Sequence, residues 1–174
     1  MKIYLAPLEG ITGYTYRRAL HQCFGGFDKY FIPFILPNQK GHLSTREKKD
    51  IAPENNEGMY AVPQILTKNA EDFIRTAETL QEYGYNEVNL NLGCPSKTVV
   101  TKGRGTLRNP ALAREIRGGA PASKEEIRRF HDIMYNEYCE DLSGDGNILF
   151  RMKELWSYLI PMFTNNKKYA KKKN

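Results

Sequence analysis

Short apolar segments alternate with longer polar or amphipathic segments along the first ninety residues. The pattern predicts four strands, over residues 2–6, 30–35, 60–66 and 88–92. The intervening segments predict helices over residues 13–22 and 44–50, followed by a third helix that Asn69 caps and that ends at Gly84. Strands that alternate with helical connections are typical of a parallel sheet, so this part of the chain is predicted to have an α/β fold.

The fourth strand leads directly into a Gly-Cys-Pro turn at residues 93–95. Its apolar residues alternate with asparagines, which predicts a strand with one face in a core. Cys94 is therefore expected just beyond the carboxyl end of a strand, at the edge where barrels and open α/β sheets bind ligands. Position alone leaves an alternative open, because free cysteines are often small buried apolar residues.

Two amphipathic helices are predicted in the last third of the chain. Ser123 and Glu126 form the pattern of a capping box at the start of the first helix. Its apolar stripe consists of Ile127, Phe130, Met134 and Tyr138. After a turn at residues 141–146, a second helix from about Asn147 carries Ile148, Met152, Leu155, Trp156, Leu159 and Phe163. We interpret the aromatic residues as core rather than base-stacking residues, and the two helices as an antiparallel hairpin.

Composition narrows the class of protein. The 174 residues are 40% hydrophobic, which is enough for a core, and contain no run of 18 apolar residues. The first segment is interrupted by Pro7 and does not resemble a signal peptide, so we expect a cytoplasmic protein without a membrane partner. Cys23, Cys94 and Cys139 are widely spaced and lack a histidine pattern, which indicates free thiols and no metal site.

The net charge of +6 is concentrated in the second part of the chain. Residues 1–100 contain 11 basic and 11 acidic residues, whereas residues 101–174 contain 15 and 9. A one-sided basic balance favours an anionic partner, with nucleic acid ahead of membrane. The alternative is an ordinary solvated surface with a lysine-rich tail.

Three segments resemble the tRNA-dihydrouridine synthases. They are APLEGITGYTYRRA after the first strand, VPQIL followed by NAEDF at the third, and NLNLGCPSKTVV at the fourth, which is the most specific. Members of this family are flavoenzymes with a (β/α)8 barrel and an added helical domain. The resemblance implies a partial (β/α)8 TIM-type barrel of about four parallel strands over residues 1–117. A C-terminal α-helical, tRNA-binding domain with a basic tail would follow over residues 118–174.

The same resemblance implies an FMN site and a catalytic cysteine. Pro7, Leu8 and Glu9 would form a backbone cradle for the flavin, and Gln64 would hydrogen-bond its isoalloxazine edge. Cys94 would donate a proton to the uracil, because an unperturbed thiol with a pKa of about 8.5 is protonated at neutral pH. NADPH would be the reductant. Asn91 is a candidate for holding the base, with the alternative that it only satisfies a strand end.

Further residues are implied to bind phosphate groups. Gly103 and Arg104 would receive the flavin phosphate at the start of a helix over residues 110–117. The helical domain would contact the tRNA backbone through Arg128, Arg129, Arg151, Lys153, Lys167 and Lys168.

The chain is shorter than a complete barrel, which needs roughly 250 residues. Only four strands precede Lys102, and residues 102–110 resemble a join between two separate parts of the family's sequence, as an internal deletion would produce. The missing strands would supply a lysine and a histidine to the flavin. Their absence favours exposed sheet edges and a homodimer that covers them.

Three functions remain open on the sequence. The chain is a tRNA-dihydrouridine synthase that uses FMN and NADPH, or a catalytically inactive, internally deleted homologue with weak RNA binding. A third hypothesis is that the chain is another FMN-dependent barrel oxidoreductase, which acts on a free pyrimidine. The basic C-terminal helices count against it, because a free base needs no surface that binds phosphates.

Overall fold

The computed structural model describes residues 1–38, 42–67, 69–92 and 105–163. The chain forms two compact units, one of Met1–His21 with Phe27–Ser96 and one of Gln22–Gly26 with Lys97–Asn174. The predicted division after residue 117 falls inside the second unit. As a division between flavin-binding and tRNA-binding parts, it stays a prediction.

The first part of the chain has the predicted α/β character. Its elements are β1 (Tyr4–Leu5), α1 (Tyr14–Cys23), β2 (Lys29–Phe31), α2 (Thr45–Ile51), a 3₁₀ turn (Pro53–Asn55), β3 (Ala61–Val62), β4 (Gln64–Leu66), α3 (Ala70–Glu82) and β5 (Asn89–Asn91). The β1, β2 and β3 strands pair in that order, β4 pairs with β5, and every pairing is parallel. These observations confirm an α/β fold with parallel strands, and the partial barrel stays a prediction.

The predicted strand over residues 60–66 is divided in two by Pro63. Proline has no N–H to donate, so the strand ladder is interrupted there. The second strand segment nevertheless continues alongside both pieces, since Ile32 N donates to Val62 O (2.9 Å) and Ile35 N donates to Gln64 O (2.8 Å). All four predicted strand positions are therefore occupied by parallel strands, and the third strand is in two pieces.

One face of these strands packs against helices in a buried cluster. The cluster consists of Ile32, Ile35, Ile51, Ile65 and Leu80. It includes α2 through Ile51 and α3 through Leu80. The N-terminus of α3 is capped as predicted, because the Asn69 side chain accepts from Glu71 N (2.8 Å) and Asp72 N (3.2 Å).

The prediction that the strand over residues 88–92 has an apolar face in a core is wrong for two of its three apolar residues. Val88 packs against the buried cluster, but Leu90 is 44% exposed and Leu92 is 73% exposed. Among the described residues β5 pairs only with β4 and is an edge strand. The helix-side core therefore reaches only the beginning of β5.

The second unit is helical in its described part, apart from connecting turns. Its elements are α4 (Gly105–Arg108), α5 (Leu112–Ile116), α6 (Lys124–Asp141), α7 (Asp145–Leu159) and a 3₁₀ turn (Ile160–Met162). The predicted helix over residues 110–117 is thus shorter than expected. The α7 helix begins two residues before the expected Asn147, because Gly144, with φ of +87°, completes the turn early.

The hairpin of α6 and α7 has the predicted internal stripe, with one difference. The capping box of Ser123 and Glu126 is present. The buried residues of the two helices are Ile127, Phe130, Met134, Ile148, Met152, Leu155 and Leu159. Tyr138, Trp156 and Phe163 are only partly buried, so they lie at the margin of the hairpin core rather than inside it. Within the described residues, no helix is both long and apolar enough to cross a membrane.

Candidate active site

The loop after β1, which contains Pro7, Leu8 and Glu9, folds into a tight turn closed by Thr12. Leu8 N donates to Thr12 Oγ1 (2.7 Å), and Leu8 O accepts from the Thr12 hydroxyl (3.1 Å) and from Thr12 N (3.0 Å). The Leu8 backbone is thus used inside the loop. Within the described residues the Pro7 carbonyl and the Glu9 amide have no such bond, so they are the groups that this loop offers to a ligand.

A buried arginine is hydrogen-bonded to the backbone of this loop. Arg17, on α1, is 0% exposed, and its Nη1 donates to Thr12 O (2.9 Å). Its Nη2 donates to Asp50 O (2.7 Å) and to Asn56 Oδ1 (3.1 Å), and Nη1 lies 3.4 Å from Asp50 Oδ1. We call Arg17, Asp50 and Asn56 the polar cluster. It joins the loop after β1 to the end of α2.

Sequence reasoning missed the polar cluster. Asp50 Oδ1 also accepts from Tyr14 N (2.6 Å), so its carboxylate caps the beginning of α1 across 36 residues of chain. Burial raises the pKa of the Asp50 carboxyl, and the adjacent Arg17 guanidinium opposes this shift. The available signal was Arg17 itself, which lies three residues before the buried Leu20 and hence on the apolar face of α1.

Side-chain amides of β4 and β5 lie beside one another, at the first residue of β4 and at the first and last residues of β5. Gln64 Nε2 donates to Asn89 Oδ1 (2.8 Å), and Asn91 Nδ2 donates to Gln64 Oε1 (3.0 Å). The parallel register places Gln64 beside Asn89, and Leu66 beside Asn91. An amide has two N–H groups and two oxygen lone pairs, so Gln64 keeps one of each for a ligand within the described part of the chain. The structure thus brings Gln64 and Asn91 together.

Several predicted site residues lie outside the described residues. They are Cys94, Gly103, Arg104, Lys167 and Lys168. Asn91 is the described residue of β5 nearest to Cys94 along the chain, three positions before it.

A different cluster lies at the amino-terminal ends of β2, β3 and β5. Lys29 Nζ contacts both carboxylate oxygens of Glu87 (2.5 and 2.7 Å), and the Tyr60 hydroxyl donates to the same carboxylate (2.8 Å). Lys29 also lies over the rings of Tyr4 and Tyr60. The hydrogen bond from Lys29 lowers the pKa of Glu87. A cavity of about 300 Å³ beside this cluster is lined in part by Tyr60 and Glu87.

The predicted phosphate-binding residues of the hairpin fall on different faces of their helices. Arg128 and Arg129 are both exposed, but neighbouring helical residues point about 100° apart. Lys153 is exposed, whereas Arg151 pairs with Glu154 (Nη1 to Oε2, 3.3 Å). Their role in phosphate binding stays a prediction.

The family model of Dihydrouridine synthase (Dus) matches residues 4–137. The chain belongs to the dihydrouridine synthase family. The match includes the loop after β1, the amides of β4 and β5, and most of α6. The enzymes of this family are flavin-dependent oxidoreductases, which agrees with the resemblance found in the sequence.

Curated relatives of this dihydrouridine synthase homologue cover most of the chain. A tRNA-dihydrouridine synthase B of Pasteurella multocida is 30% identical over 117 residues, which are 66% of this chain and 34% of the relative. A tRNA-dihydrouridine(16) synthase of Pseudomonas putida is 33% identical over 136 residues, which are 71% of this chain and 41% of the relative. A probable tRNA-dihydrouridine synthase of Staphylococcus aureus is 28% identical over 168 residues, and the match covers 87% of this chain and 50% of the relative.

The chain thus spans between about a third and half the length of these dihydrouridine synthase relatives. No solved structure matches it. Among the described residues, no three histidine, cysteine or acidic side chains come together as a metal ion requires.

Proposed function

We propose that this chain takes part in the FMN-dependent reduction of a uridine in tRNA to 5,6-dihydrouridine, with NADPH as the reductant and Cys94 as the proton donor. The proposal extends family membership to the chemistry of this chain. It also assigns the first unit to a partial (β/α)8 barrel and the hairpin of α6 and α7 to a tRNA-binding helical domain.

The hydrogen-bonded amides of β4 and β5 are the observation that carries the proposal. Gln64 is fixed between Asn89 and Asn91, and its remaining N–H and lone pair match the alternating donors and acceptors of a flavin or uracil edge. Because both neighbours are anchored on strands, the Gln64 amide is oriented before any ligand binds. These free groups of Gln64 support the proposal that it hydrogen-bonds the edge of an isoalloxazine ring.

The remaining flavin contacts would come from the loop after β1 and from Gly103 and Arg104. The Pro7 carbonyl and the Glu9 amide follow β1, and the polar cluster holds their loop through Thr12. We propose that Gly103 and Arg104 bind the flavin phosphate. An arginine and glycine amides suit a phosphate, because they supply charge and close backbone donors.

Cys94 would complete the reduction. Reduced FMN, when bound, supplies a hydride to one carbon of the uracil 5,6 double bond. The Cys94 thiol gives its proton to the other carbon, so that two hydrogen atoms are added and the thiolate recovers a proton from solvent. Asn91 lies three residues before Cys94 and is proposed to hold the uracil edge during this transfer.

The basic residues of the second unit are proposed to bind the tRNA backbone. Arg128, Arg129, Arg151, Lys153, Lys167 and Lys168 are the candidates. Each phosphate contact should make the affinity fall by about 0.7 to 0.9 logarithmic units for each tenfold rise in salt. We further propose a homodimer, since β1 and β5 are the edge strands of the described sheet order.

The test is the formation of dihydrouridine in an unmodified tRNA by the purified chain, supplied with FMN and NADPH. We expect activity from the native chain and none after Cys94→Ala, because the second carbon then lacks its proton donor. The matched control is Cys139→Ser, which changes an exposed cysteine of α6 and should retain activity.

Flavin retention separates this proposal from its alternative. A chain that stays colourless after incubation with excess FMN and desalting has no flavin site, which would support an inactive, internally deleted homologue with weak RNA binding. A flavin-loaded chain that reduces free uracil but no tRNA would contradict the proposed substrate.

A further inference from the structure

Four aromatic side chains form a continuous row on the surface of the hairpin. The His131 ring lies parallel to that of Tyr135, with centroids 6.5 Å apart, and contacts Trp156 on α7 at 5.5 Å. Trp156 in turn contacts Phe163 at 5.8 Å. We call Tyr135, His131, Trp156 and Phe163 the aromatic strip.

The aromatic strip is accessible to solvent. Tyr135 is 44% exposed and the His131 side chain is 31% exposed, while Trp156 and Phe163 are partly exposed. Two side chains of the strip also contact polar neighbours on α6. The Tyr135 hydroxyl is hydrogen-bonded to the Cys139 side chain, and His131 Nδ1 lies 2.9 Å from Asp132 Oδ1.

The hairpin does not need the aromatic strip for its core. On α6 the buried residues are Ile127, Phe130 and Met134, and α7 contributes a separate buried set. His131, Tyr135 and Trp156 each follow a buried residue by one position, which places them about 100° around the helix from the buried side chains. A row of large aromatic side chains at a wet surface is characteristic of a binding site rather than of a core.

Cations border the aromatic strip on both helices. Lys124 and Arg128 lie seven and three residues before His131, and thus on its face of α6. Lys153 lies three residues before Trp156, on its face of α7. Among the described residues none of these three cations has an ion pair, whereas two acids act on the strip, Asp132 beside His131 and Asp145 through its charge on Tyr135. The surface therefore combines aromatic rings with net positive charge.

We propose that the aromatic strip binds unpaired nucleotides of RNA, by stacking on their bases while Lys124, Arg128 and Lys153 contact the phosphates. This inference rests on the proposed function and adds to it a mode of recognition. Aromatic side chains interleaved with cations bind single strands in this way, because every base presents an aromatic face and every nucleotide a negative charge. In a duplex the bases are stacked on one another, so only the cations would have partners.

The protein carries its own reporter of base stacking. Trp156 is the only tryptophan in the chain, so intrinsic tryptophan fluorescence arises at the aromatic strip. The purified full chain would be titrated with a single-stranded RNA of about 12 nucleotides, within the usual range of single-strand sites. A perfectly paired RNA duplex of the same length is the comparison. A dye attached to each RNA would report total binding by anisotropy.

We expect the single strand to quench Trp156 fluorescence as it binds, and the duplex to bind without this quenching. Tyr135→Ala should weaken single-strand binding about tenfold and leave duplex binding unchanged, because one stacking contact is lost and no charge is removed. The matched control is Phe150→Ala, which removes a ring from α7 that is 66% exposed and outside the strip. It should alter neither affinity. A His131→Ala variant provides an independent change within the strip.

The outcomes distinguish the inference from the function on which it rests. RNA binding by anisotropy with unchanged Trp156 fluorescence would overturn stacking at the strip and leave RNA binding intact. Equal effects of Tyr135→Ala and Phe150→Ala on the affinity for single-stranded RNA would also overturn it. The same holds if the aromatic strip binds a copurifying protein and no RNA. If neither RNA binds, both the strip and the proposed contacts to tRNA are refuted.

Discussion

Replacing Arg17 with methionine removes the centre of the polar cluster while keeping a side chain of similar length. The guanidinium donates to Thr12 O, Asp50 O and Asn56 Oδ1 and lies beside the Asp50 carboxylate. Both charged side chains are buried, with 0% and 7% exposure. Methionine can supply neither the hydrogen bonds nor the charge, and water has little access to replace them.

The expected loss follows from the acceptors that remain. Asp50 O keeps a donor, because Asn56 Nδ2 also bonds to it (2.9 Å). Thr12 O and Asn56 Oδ1 lose theirs, at about 1–3 kcal/mol for each unsatisfied buried group. The Asp50 carboxylate keeps Tyr14 N but loses its buried counter-charge. Removing one partner of a buried pair typically costs about 3–5 kcal/mol, and we expect a loss of that size in the free energy of unfolding.

Urea denaturation followed by far-UV circular dichroism measures this loss. With a slope of about 2 kcal/mol/M, the midpoint should fall by about 1.5 to 2.5 M. Arg75→Met is the matched control, because Arg75 pairs with Asp72 at a surface where its side chain is 43% exposed. Its loss should stay below about 1 kcal/mol. Arg17→Lys, which keeps the charge with fewer donors, should lie between the native chain and Arg17→Met.

Equal losses for Arg17→Met and Arg75→Met would refute the reasoning. So would strict additivity of Arg17→Met and Asp50→Asn in a double-mutant cycle, since two side chains that stabilise each other must couple. We expect the double variant to lose less free energy of unfolding than the two single variants lose together.

Three further predictions concern other parts of the molecule. Arg114 lowers the pKa of Glu126 to about 2 from 4.5, so the stability that Glu126 contributes should be complete above pH 4.5 and lost as the pH falls towards 2. The melting temperatures of the native chain and Glu126→Gln should therefore converge at low pH, and a constant difference would contradict the pairing. Phe130→Ala should lower the free energy of unfolding in urea by about 3–5 kcal/mol, because the ring is fully buried, and a loss below 1 kcal/mol would exclude its place in the core. Gln64→Leu should weaken FMN binding about tenfold in a flavin fluorescence titration, with the exposed Gln81→Leu unchanged, and equal affinities would remove Gln64 from the site.

The strand and helix positions of both units were largely predictable from local pattern. Alternation of apolar residues, together with the caps at Asn69 and Ser123, determines where elements form, because those signals act over a few residues. Strand lengths and burial were less predictable. Pro63 interrupts its strand through a missing N–H, and the exposure of Leu90 depends on β5 being an edge strand in the described sheet order.

The parts of the candidate site that lie within short contiguous sequence segments were predictable. The segment around Cys94 and the segment of Pro7 to Thr12 pointed to the family, and the family model confirmed that membership. The support of Gln64 by two asparagines was not predictable, because parallel register sets which strand residues lie side by side. The partly exposed aromatic strip was missed for a related reason, since helical spacing alone does not show how far each ring is covered.

The sequence by itself determined the α/β character of the first unit, the helical hairpin, the basic balance of the second part and the dihydrouridine synthase family. These properties depend on periodicity, composition and short motifs. Only the tertiary structure revealed that Arg17 and Asp50, 33 residues apart, meet in a buried cluster beneath the loop after β1. Such contacts arise because packing brings distant segments together and excludes water, and a buried charge is then stable only beside a partner that no local pattern specifies.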